Sequence, residues 1–493
     1  MRGAPPSTGL SQAKRLHVYH RREMKGFVER EVKLEPGERF ALPDLPGVPL
    51  LPRLFVSTYH DTPSHSLARH GITLRCRVDE AGARWQLKLP RDDGRSEIEA
   101  AGPADVLPDE LAALLPVHLR DGALGPVASL RTTRSGVRVK DEGRELADVT
   151  IDVVEVLGDD GGAGGFTELE IELVDGDRSD LDRLVQALVA AGAERADERP
   201  KLFRVLDVPG TPTPAADAPA GELLRHLLAR QLHELEAQDP GVRFGDDPEA
   251  VHRFRVATRR ARALIRAARE IAGDELTPLA GGLAWLTRAL GPVRDLDVLL
   301  EHLQAEVASL GPDRPGGEHL VAQLELERTT ARGALIDALS DARYPALLDT
   351  FGASVDALEV PADSPTLHDL AARAFEKLEV AVRTLPADCS DDELHRIRIV
   401  GKRARYAAEL AALRGDPRVA KFVSSVKTLQ DVVGEHQDAV VAEERIRHLD
   451  VRAGSALAAG RLIERERGRR AAMRAGYPAA AAKVLRLGSE AFS

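Results

Sequence analysis

The sequence is poor in cysteine, in aromatics and in long apolar runs, and each shortage removes a class of protein. Two cysteines, Cys76 and Cys389, stand among 493 residues. They form no CxxC pair and no metal-ligand spacing, so a structural disulfide is not expected and a reducing cytosol suits the chain. Aromatics make up 4% of the residues, which counts against base stacking as the main binding mode. No run approaches about 18 apolar residues, and the basic N-terminus lacks a continuous apolar h-region. The expectation is therefore a cytoplasmic protein with no membrane span and no signal peptide. Familiar catalytic signatures are missing too. The run GDDGGAGG at 158–165 lacks the following Lys-Ser/Thr of a P-loop and reads as a hairpin loop, and there is no HExxH or nucleophile elbow. A formal net charge of −11 argues against a general nucleic-acid binder, so any basic site must be local.

What is present starts with HRFRVATRRARALIRAAR at 252–269, which holds seven arginines and no acid. At 100° per residue, His252, Arg255, Arg259, Arg262, Arg266 and Arg269 share one arc, and Phe254, Ala257, Ala261, Leu264 and Ile265 share roughly the opposite one. The pattern returns in HRIRIVGKRARYAAEL, where His395, Arg398, Lys402 and Arg405 share an arc. An offset of 143 carries His252 to His395, Arg255 to Arg398, Arg259 to Lys402, Arg262 to Arg405, Gly291 to Gly434 and Asp295 to Asp438, which marks an internal duplication. The copies part at Arg266, which maps to Glu409, and at Arg294, which maps to Gln437. Like charges at i, i+3 and i+4 repel and weaken a helix. A partner of dense negative charge offsets that cost, and the guanidinium fork suits phosphate. A merely solvated face is the competing reading, but it usually mixes both signs.

With 43% apolar residues the chain has enough to build real cores. The expected fold class is α+β in two parts. Residues 1–24 read as a polar tail. Residues 25–209 have β texture, with short alternating segments between Gly, Asp and Pro turns. Residues 210–220, around TPTPAADAPA, read as a linker. From 221 to 493 the chain reads as Ala/Leu/Arg helices in two similar bundles, about 221–360 and 361–493. Asp247-Pro248-Glu249 and Ser390-Asp391-Asp392-Glu393 read as the starts of the two basic helices. RLIERERGRRAAMRAG reads as a third basic helix with a less clean face.

The strands of the β half sort charge onto one side. Glu29, Glu31 and Lys33 alternate, as do Arg75 with Arg77, Gln86 with Lys88, and Glu97 with Glu99. The same holds for Arg134 with Arg138 and Lys140, for Asp148 with Asp152, and for Glu168 with Glu170 and Glu172. The opposite faces carry Val28, Val32, Leu74, Leu87, Ile98, Val149, Leu169 and Ile171. If the apolar faces pack outward, the charged faces line a wet barrel interior, contrary to the apolar filling of most small barrels. Arginine and lysine would hold phosphate oxygens there, and glutamates would hold a hard cation such as Mg2+ or Mn2+.

These residues resemble a known pair of families. The Glu29-x-Glu31-x-Lys33 opening, the basic strands and the late Glu168-x-Glu170-x-Glu172 strand look like the CYTH domain of the triphosphate tunnel metalloenzymes. The duplicated Arg/His helices look like a CHAD domain. The resemblance implies an eight-stranded antiparallel barrel forming a tunnel, then two four-helix bundles. It implies Glu29, Glu31, Glu170 and Glu172 as ligands of Mg2+ or Mn2+. Lys33, Arg75, Arg77, Lys88, Arg134 and Lys201 would bind phosphate, with Glu29, Glu31 and Lys33 as the catalytic set and Arg204 as a further contact. It implies inorganic polyphosphate on His252, Arg255, Arg259, Arg262, Arg266, His395, Arg398, Lys402 and Arg405. Asp295, Asp297 and Asp438 would orient or neutralise arginines. The expected function is a triphosphatase acting on tripolyphosphate and associated with polyphosphate granules. The alternatives are a non-catalytic polyphosphate-binding protein and a class IV adenylate cyclase. No specific nucleic-acid binding is expected.

Overall fold

The structure, a computed structural model, describes residues 24–492 apart from 121, 159–163, 197–198, 211, 275, 362–363 and 453. Residues 1–23 of the expected tail and 159–163 of the expected hairpin loop lie outside the described residues. The chain divides into two compact units. One runs to residue 211 and includes 239–246; the other comprises 212–238 and 247–493. No helix of the described residues is long and apolar enough to cross a membrane.

The first unit is built on one antiparallel sheet. Its strands are β1 (Lys25–Glu29), β2 (Glu31–Pro36), β3 (Gly47–Asp61), β4 (Thr73–Asp79), β5 (Gly82–Arg91), β6 (Gly94–Ala101), β7 (Gly125–Asp141), β8 (Arg144–Leu157), β9 (Gly165–Leu173) and β10 (Ala193–Arg195). The order is β1-β6-β5-β4-β3-β7-β8-β9-β2-β10. This corrects the expected eight-stranded closed barrel: among the described residues there are ten strands, and hydrogen bonds do not join them into a ring.

The reason lies at Arg30, which interrupts one extended segment. The part before it, β1, pairs with β6, and the part after it, β2, pairs with β9. The seam is therefore bridged by the chain itself. Counted as one strand, β1 and β2 leave eight in the barrel, with the short β10 added against β2. Gly94 makes the crowded corner possible. It sits at φ +144°, and a Cβ there would fall 2.2 Å from the carbonyl oxygen of Glu29.

The alternation in the sequence is realised inside out. Leu74, Leu87 and Ile98 are fully buried against Leu111 and Leu115 on the outer face. Val149, Leu169 and Ile171 are fully buried against Leu184 and Leu188 of helix α1 (Arg178–Ala190). Each large aliphatic side chain so covered contributes roughly 1.5–3 kcal/mol. Helix α1 falls in a stretch read as β; Asp177 starts it with a reciprocal capping box to Asp180.

The second unit holds α2 (Ala220–Phe244, whose last turn belongs to the first unit), α3 (Pro248–Ala272), α4 (Thr277–Ala308), α5 (Arg314–Leu339), α6 (Arg343–Asp356), α7 (Leu367–Arg383), α8 (Asp391–Ala412), α9 (Pro417–His448) and α10 (Ala456–Phe492). The duplication is structural as well as textual. The offset of 143 carries Pro248, the first residue of α3, onto Asp391, the first residue of α8. The helices that follow, α4 and α9, are each 32 residues long. Asp247 caps α3 by accepting from Glu249 N, and Ser390 caps α8 in a box with Glu393. Phe254, Ala257, Ala261, Leu264 and Ile265 of α3 are all buried, as their common arc required. The repeats share one core, in which Leu296, Leu303 and Leu324 pack with Ile446, Ala458 and Leu462.

Candidate functional site

The curled sheet encloses a cavity of about 210 Å3, and all ten residues expected of the tunnel line it: Glu29, Glu31, Lys33, Arg75, Arg77, Lys88, Arg134, Glu170, Glu172 and Lys201. Strand register explains the gathering. Glu31 lies opposite Glu172, Lys33 opposite Glu170, and Lys88 opposite Glu97, so one alternation phase from each strand faces inward. Lys201 enters from the short 3-10 turn Lys201–Arg204.

The cations are partly spoken for. Lys88 Nζ donates to Glu29 at 2.5 Å and lies 2.8 Å from Glu97. Lys201 Nζ lies 2.5 Å from both Glu168 and Glu170 and 3.1 Å from Asp152. Arg134 makes a two-pronged pair with Asp152 at 2.7 and 2.6 Å and also reaches Glu170. Burial opposes charge on Lys88 and Lys201. The surrounding carboxylates more than offset it, so both pKa values stand above an ordinary lysine. Burial alone would raise Glu170 as well; Lys201, Arg134 and Lys33 hold it well below the usual carboxylate range.

Two arginines differ. Arg75 rests on neutral partners, donating to Gln86 at 2.8 Å and to Tyr59 Oη at 3.3 Å. Among the described residues Arg77 has no carboxylate partner. Its guanidinium lies 3.6 Å from the centre of the Phe55 ring, and its buried Nε makes no hydrogen bond. Burial, then Arg75 and Arg134, bring Arg77 down to about 10. An anion entering the cavity meets this group unopposed.

The carboxylates test the fit of a cation. Burial and the neighbouring Glu29, Glu31 and Glu170 push Glu172 up to about 7. Such crowding of like charge among oxygen donors is what a hard divalent cation relieves. Among the described residues no three His, Cys, Asp or Glu side chains are gathered as a finished metal site, since Glu29 and Glu170 are turned to Lys88 and Lys201. The donor set suits the ion; its side chains are held by internal lysines.

Some expectations shift. Asp152 lines the cavity but is tied to Arg134 and Lys201. Asp148 lies outside it, paired with Arg138 at 2.7 Å. Arg204 does not line it; it pairs with Glu35 and stacks 4.4 Å from the Phe166 ring centre. The sequence reading missed Ser57, Tyr59, Thr73, Arg95 and Thr132, all of which line the cavity. The signal was available: Phe55, Ser57 and Tyr59 alternate along β3, and Thr73 continues the phase of Arg75 and Arg77.

In the helical unit, α3 and α8 bring their basic arcs together. Burial, then Arg259, Arg398, Arg255 and Arg405, lower Lys402 to about 7. Burial also lowers Arg259, with Arg255 and Arg405 among its neighbours, and Arg398, which faces Arg259. Asp295 takes Arg255 at 3.0 Å, as expected of it. Asp297 pairs with Arg328, and Asp438 is a neighbour of Arg398.

Two departures from the duplication act beside the arc. Glu409, standing where the first copy has Arg266, pairs with Arg405 at 3.3 Å and with Arg260 at 3.2 Å. Gln437, standing where the first copy has Arg294, accepts from His395 Nδ1 at 3.1 Å. In the first copy His252 instead feels Arg294; burial and that charge lower its pKa. Among the described residues neither histidine joins a group of three or more potential metal ligands. The third basic helix, α10, is neutralised: Arg461, Arg465, Arg467, Arg469, Arg470 and Arg474 each reach a carboxylate at 2.5–3.3 Å.

Comparison with known proteins follows the same division. The CYTH domain family matches residues 28–198, and the CHAD domain family matches residues 226–447. Two uncharacterized proteins of Mycobacterium tuberculosis, from strains CDC 1551 and H37Rv, are each 33% identical over 463 residues, covering 85% of this chain and 88% of theirs. Among solved structures, PptA from Streptomyces chartreusis is 23% identical, covering 53% of this chain and 99% of its own, with a TM-score of 0.45. The CHAD domain of Ricinus communis is 25% identical, covering 56% and 94%, with a TM-score of 0.44. HpAC1 from Hippeastrum, described as having a dominant triphosphatase activity, is 18% identical, covering 37% and 98%, with a TM-score of 0.24. The chain belongs to the CYTH-domain proteins, the triphosphate tunnel metalloenzymes. Within them it is one in which a CHAD domain follows the CYTH domain.

Proposed function

We propose that the chain is a divalent-metal-dependent inorganic triphosphatase that hydrolyses tripolyphosphate in the tunnel, and that its CHAD domain binds inorganic polyphosphate through α3 and α8. The observation that carries this reading is the composition of one cavity, where Lys33, Arg75, Arg77, Lys88, Arg134 and Lys201 share a lining with Glu29, Glu31, Glu170 and Glu172. Those four glutamates would hold Mg2+ or Mn2+, which when bound polarises phosphoryl oxygens and lowers the pKa of a water. Arg75 donates to neutral partners and Arg77 has no carboxylate partner among the described residues, so both bind phosphate oxygens and fix the tripolyphosphate. Lys88 and Lys201 remain cations throughout the neutral range and release their carboxylates as phosphate enters. Most of the catalysis is then positioning and charge stabilisation, as phosphoryl transfer requires.

In the helical unit the mutual repulsion of Arg255, Arg259, Arg398, Lys402 and Arg405 supports polyanion binding, because an incoming phosphate chain relieves it. Residence in the cytoplasm at polyphosphate granules belongs to the same proposal. The test is phosphate release from tripolyphosphate, ATP and long-chain polyphosphate, with Mg2+ and with Mn2+, for the wild type and for Glu29→Ala/Glu31→Ala. Metal-dependent release from tripolyphosphate, lost in the variant, is expected. Pyrophosphate with a cyclic nucleotide from ATP would replace the triphosphatase by a cyclase. Absence of any turnover, with tight polyphosphate binding, would reduce the protein to a binding module.

A further inference from the structure

Beside the polyphosphate face, the helical unit has a slot of about 570 Å3 between α3, α7 and α8. Its size is that of a small-molecule site, roughly 300–1,000 Å3. The chemistry of its wall is mixed in an unusual way. Its charged part, the rim, is entirely cationic: Arg259, Arg262 and Arg266 come from α3, Arg373 and Lys377 from α7, and Lys402 and Arg403 from α8, with no acid in the lining. The rest of the lining, the floor, is apolar apart from one phenol: Ala263, Ala267, Leu370, Ala374, the exposed Ile399, Val400, Ala407 and the buried Tyr406.

Inorganic polyphosphate explains the rim and leaves the floor without a purpose. Every phosphate oxygen wants water or a donor, and an alanine floor offers neither. A single carboxylate or phosphate would explain the floor's organic partner but not seven cations. A fatty chain would explain the floor but not seven cations. A ligand that satisfies both parts carries several phosphates and one flat organic group. We propose that this slot binds a nucleoside polyphosphate, its base on the alanine floor against Tyr406 and its phosphates on the cations that lead into the α3–α8 face. The inference rests on the polyphosphate reading of that face and adds to it a seat for an organic end group. Because Arg259 and Lys402 belong to both, nucleotide and polyphosphate compete.

The probe is 8-azido-ATP, photolysed on the full-length protein in EDTA, with the labelled peptides mapped by mass spectrometry. Label is expected in 259–267, 370–377 or 399–407. ATP should displace it about ten-fold more effectively than tripolyphosphate, the margin that contacts to a base supply. Ala374→Trp fills the floor from a half-exposed position outside the basic arcs. It should remove that label and erase the preference for ATP over tripolyphosphate, while long-chain polyphosphate still binds. Label confined to the strands of the tunnel, or equal competition by ATP and tripolyphosphate in the wild type, overturns the nucleotide seat. Failure of the wild type to bind long-chain polyphosphate overturns the reading of the α3–α8 face instead.

Discussion

Lys201 in the tunnel and Lys402 on the helical face sit in opposite electrical surroundings. Lys201 is pressed against Asp152, Glu168 and Glu170, and its basicity rises. Lys402 is surrounded by Arg255, Arg259, Arg398 and Arg405, and its pKa falls to about 7. The tunnel stores its cations as ion pairs that a ligand must rearrange. The helical face stores them as repulsion that a ligand relieves. The first arrangement suits a site where geometry matters at the moment of reaction; the second suits tight but tolerant holding of a polymer.

The comparison can be broken most directly by charge reversal. Arg255→Glu with Arg398→Glu should weaken long-chain polyphosphate binding by about two orders of magnitude, since removing close charge pairs is worth several kcal/mol. Tripolyphosphate turnover should be largely unchanged; equal loss of both would erase the division of labour. A second contrast lies in stability. Lys201→Ala leaves three buried carboxylates without their common cation and should cost about 3–5 kcal/mol in chemical denaturation. Lys402→Ala removes a buried source of repulsion and should leave stability at neutral pH unchanged or raised.

Salt sharpens the contrast further. Polyphosphate binding, followed by fluorescence anisotropy, should fall by about ten-fold or more between 50 and 200 mM salt, by analogy with counterion release. The smallest effect expected is one of pH. Lys402 is only half charged near 7, and an anion favours its protonated form, so binding takes up a proton. Affinity should therefore drop by about five-fold as pH rises from 6 to 8, and Lys402→Arg should flatten the profile. The sign for folding is opposite. Above pH 7 the unfolded chain holds more protons at this lysine than the folded chain, so its burial penalty fades as pH rises toward 10.

The charged face of the tunnel was legible because strand alternation has a period of two and does not depend on how the sheet closes. The helical duplication was legible because the caps and the arginine arc repeat at a single offset. The seam at Arg30 was not, because EREVK reads as one strand; only the two different partners, β6 and β9, divide it. Helix α1 was overlooked although Asp177 and Asp180 announce its start, since the strands around it set the expectation. Arg373 and Lys377 of α7 reach the slot from outside the duplicated motif, and nothing in their own spacing ties them to α3 or α8. The weak face of the third basic helix had a plain cause: each arginine named there answers an acid on another element or on α10 itself.

An inorganic phosphate chain reads the same from either end, and a perfectly duplicated pair of helices would offer it a palindromic seat. Departures from the repeat remove that symmetry. The first copy carries Arg266 and Arg294 where the second carries Glu409, which holds Arg405 and Arg260, and Gln437, which holds His395. One copy is thus more cationic than the other, so the seat has a heading that its ligand lacks. On the proposed reading of this face, a polymer without direction acquires one when it lies down here.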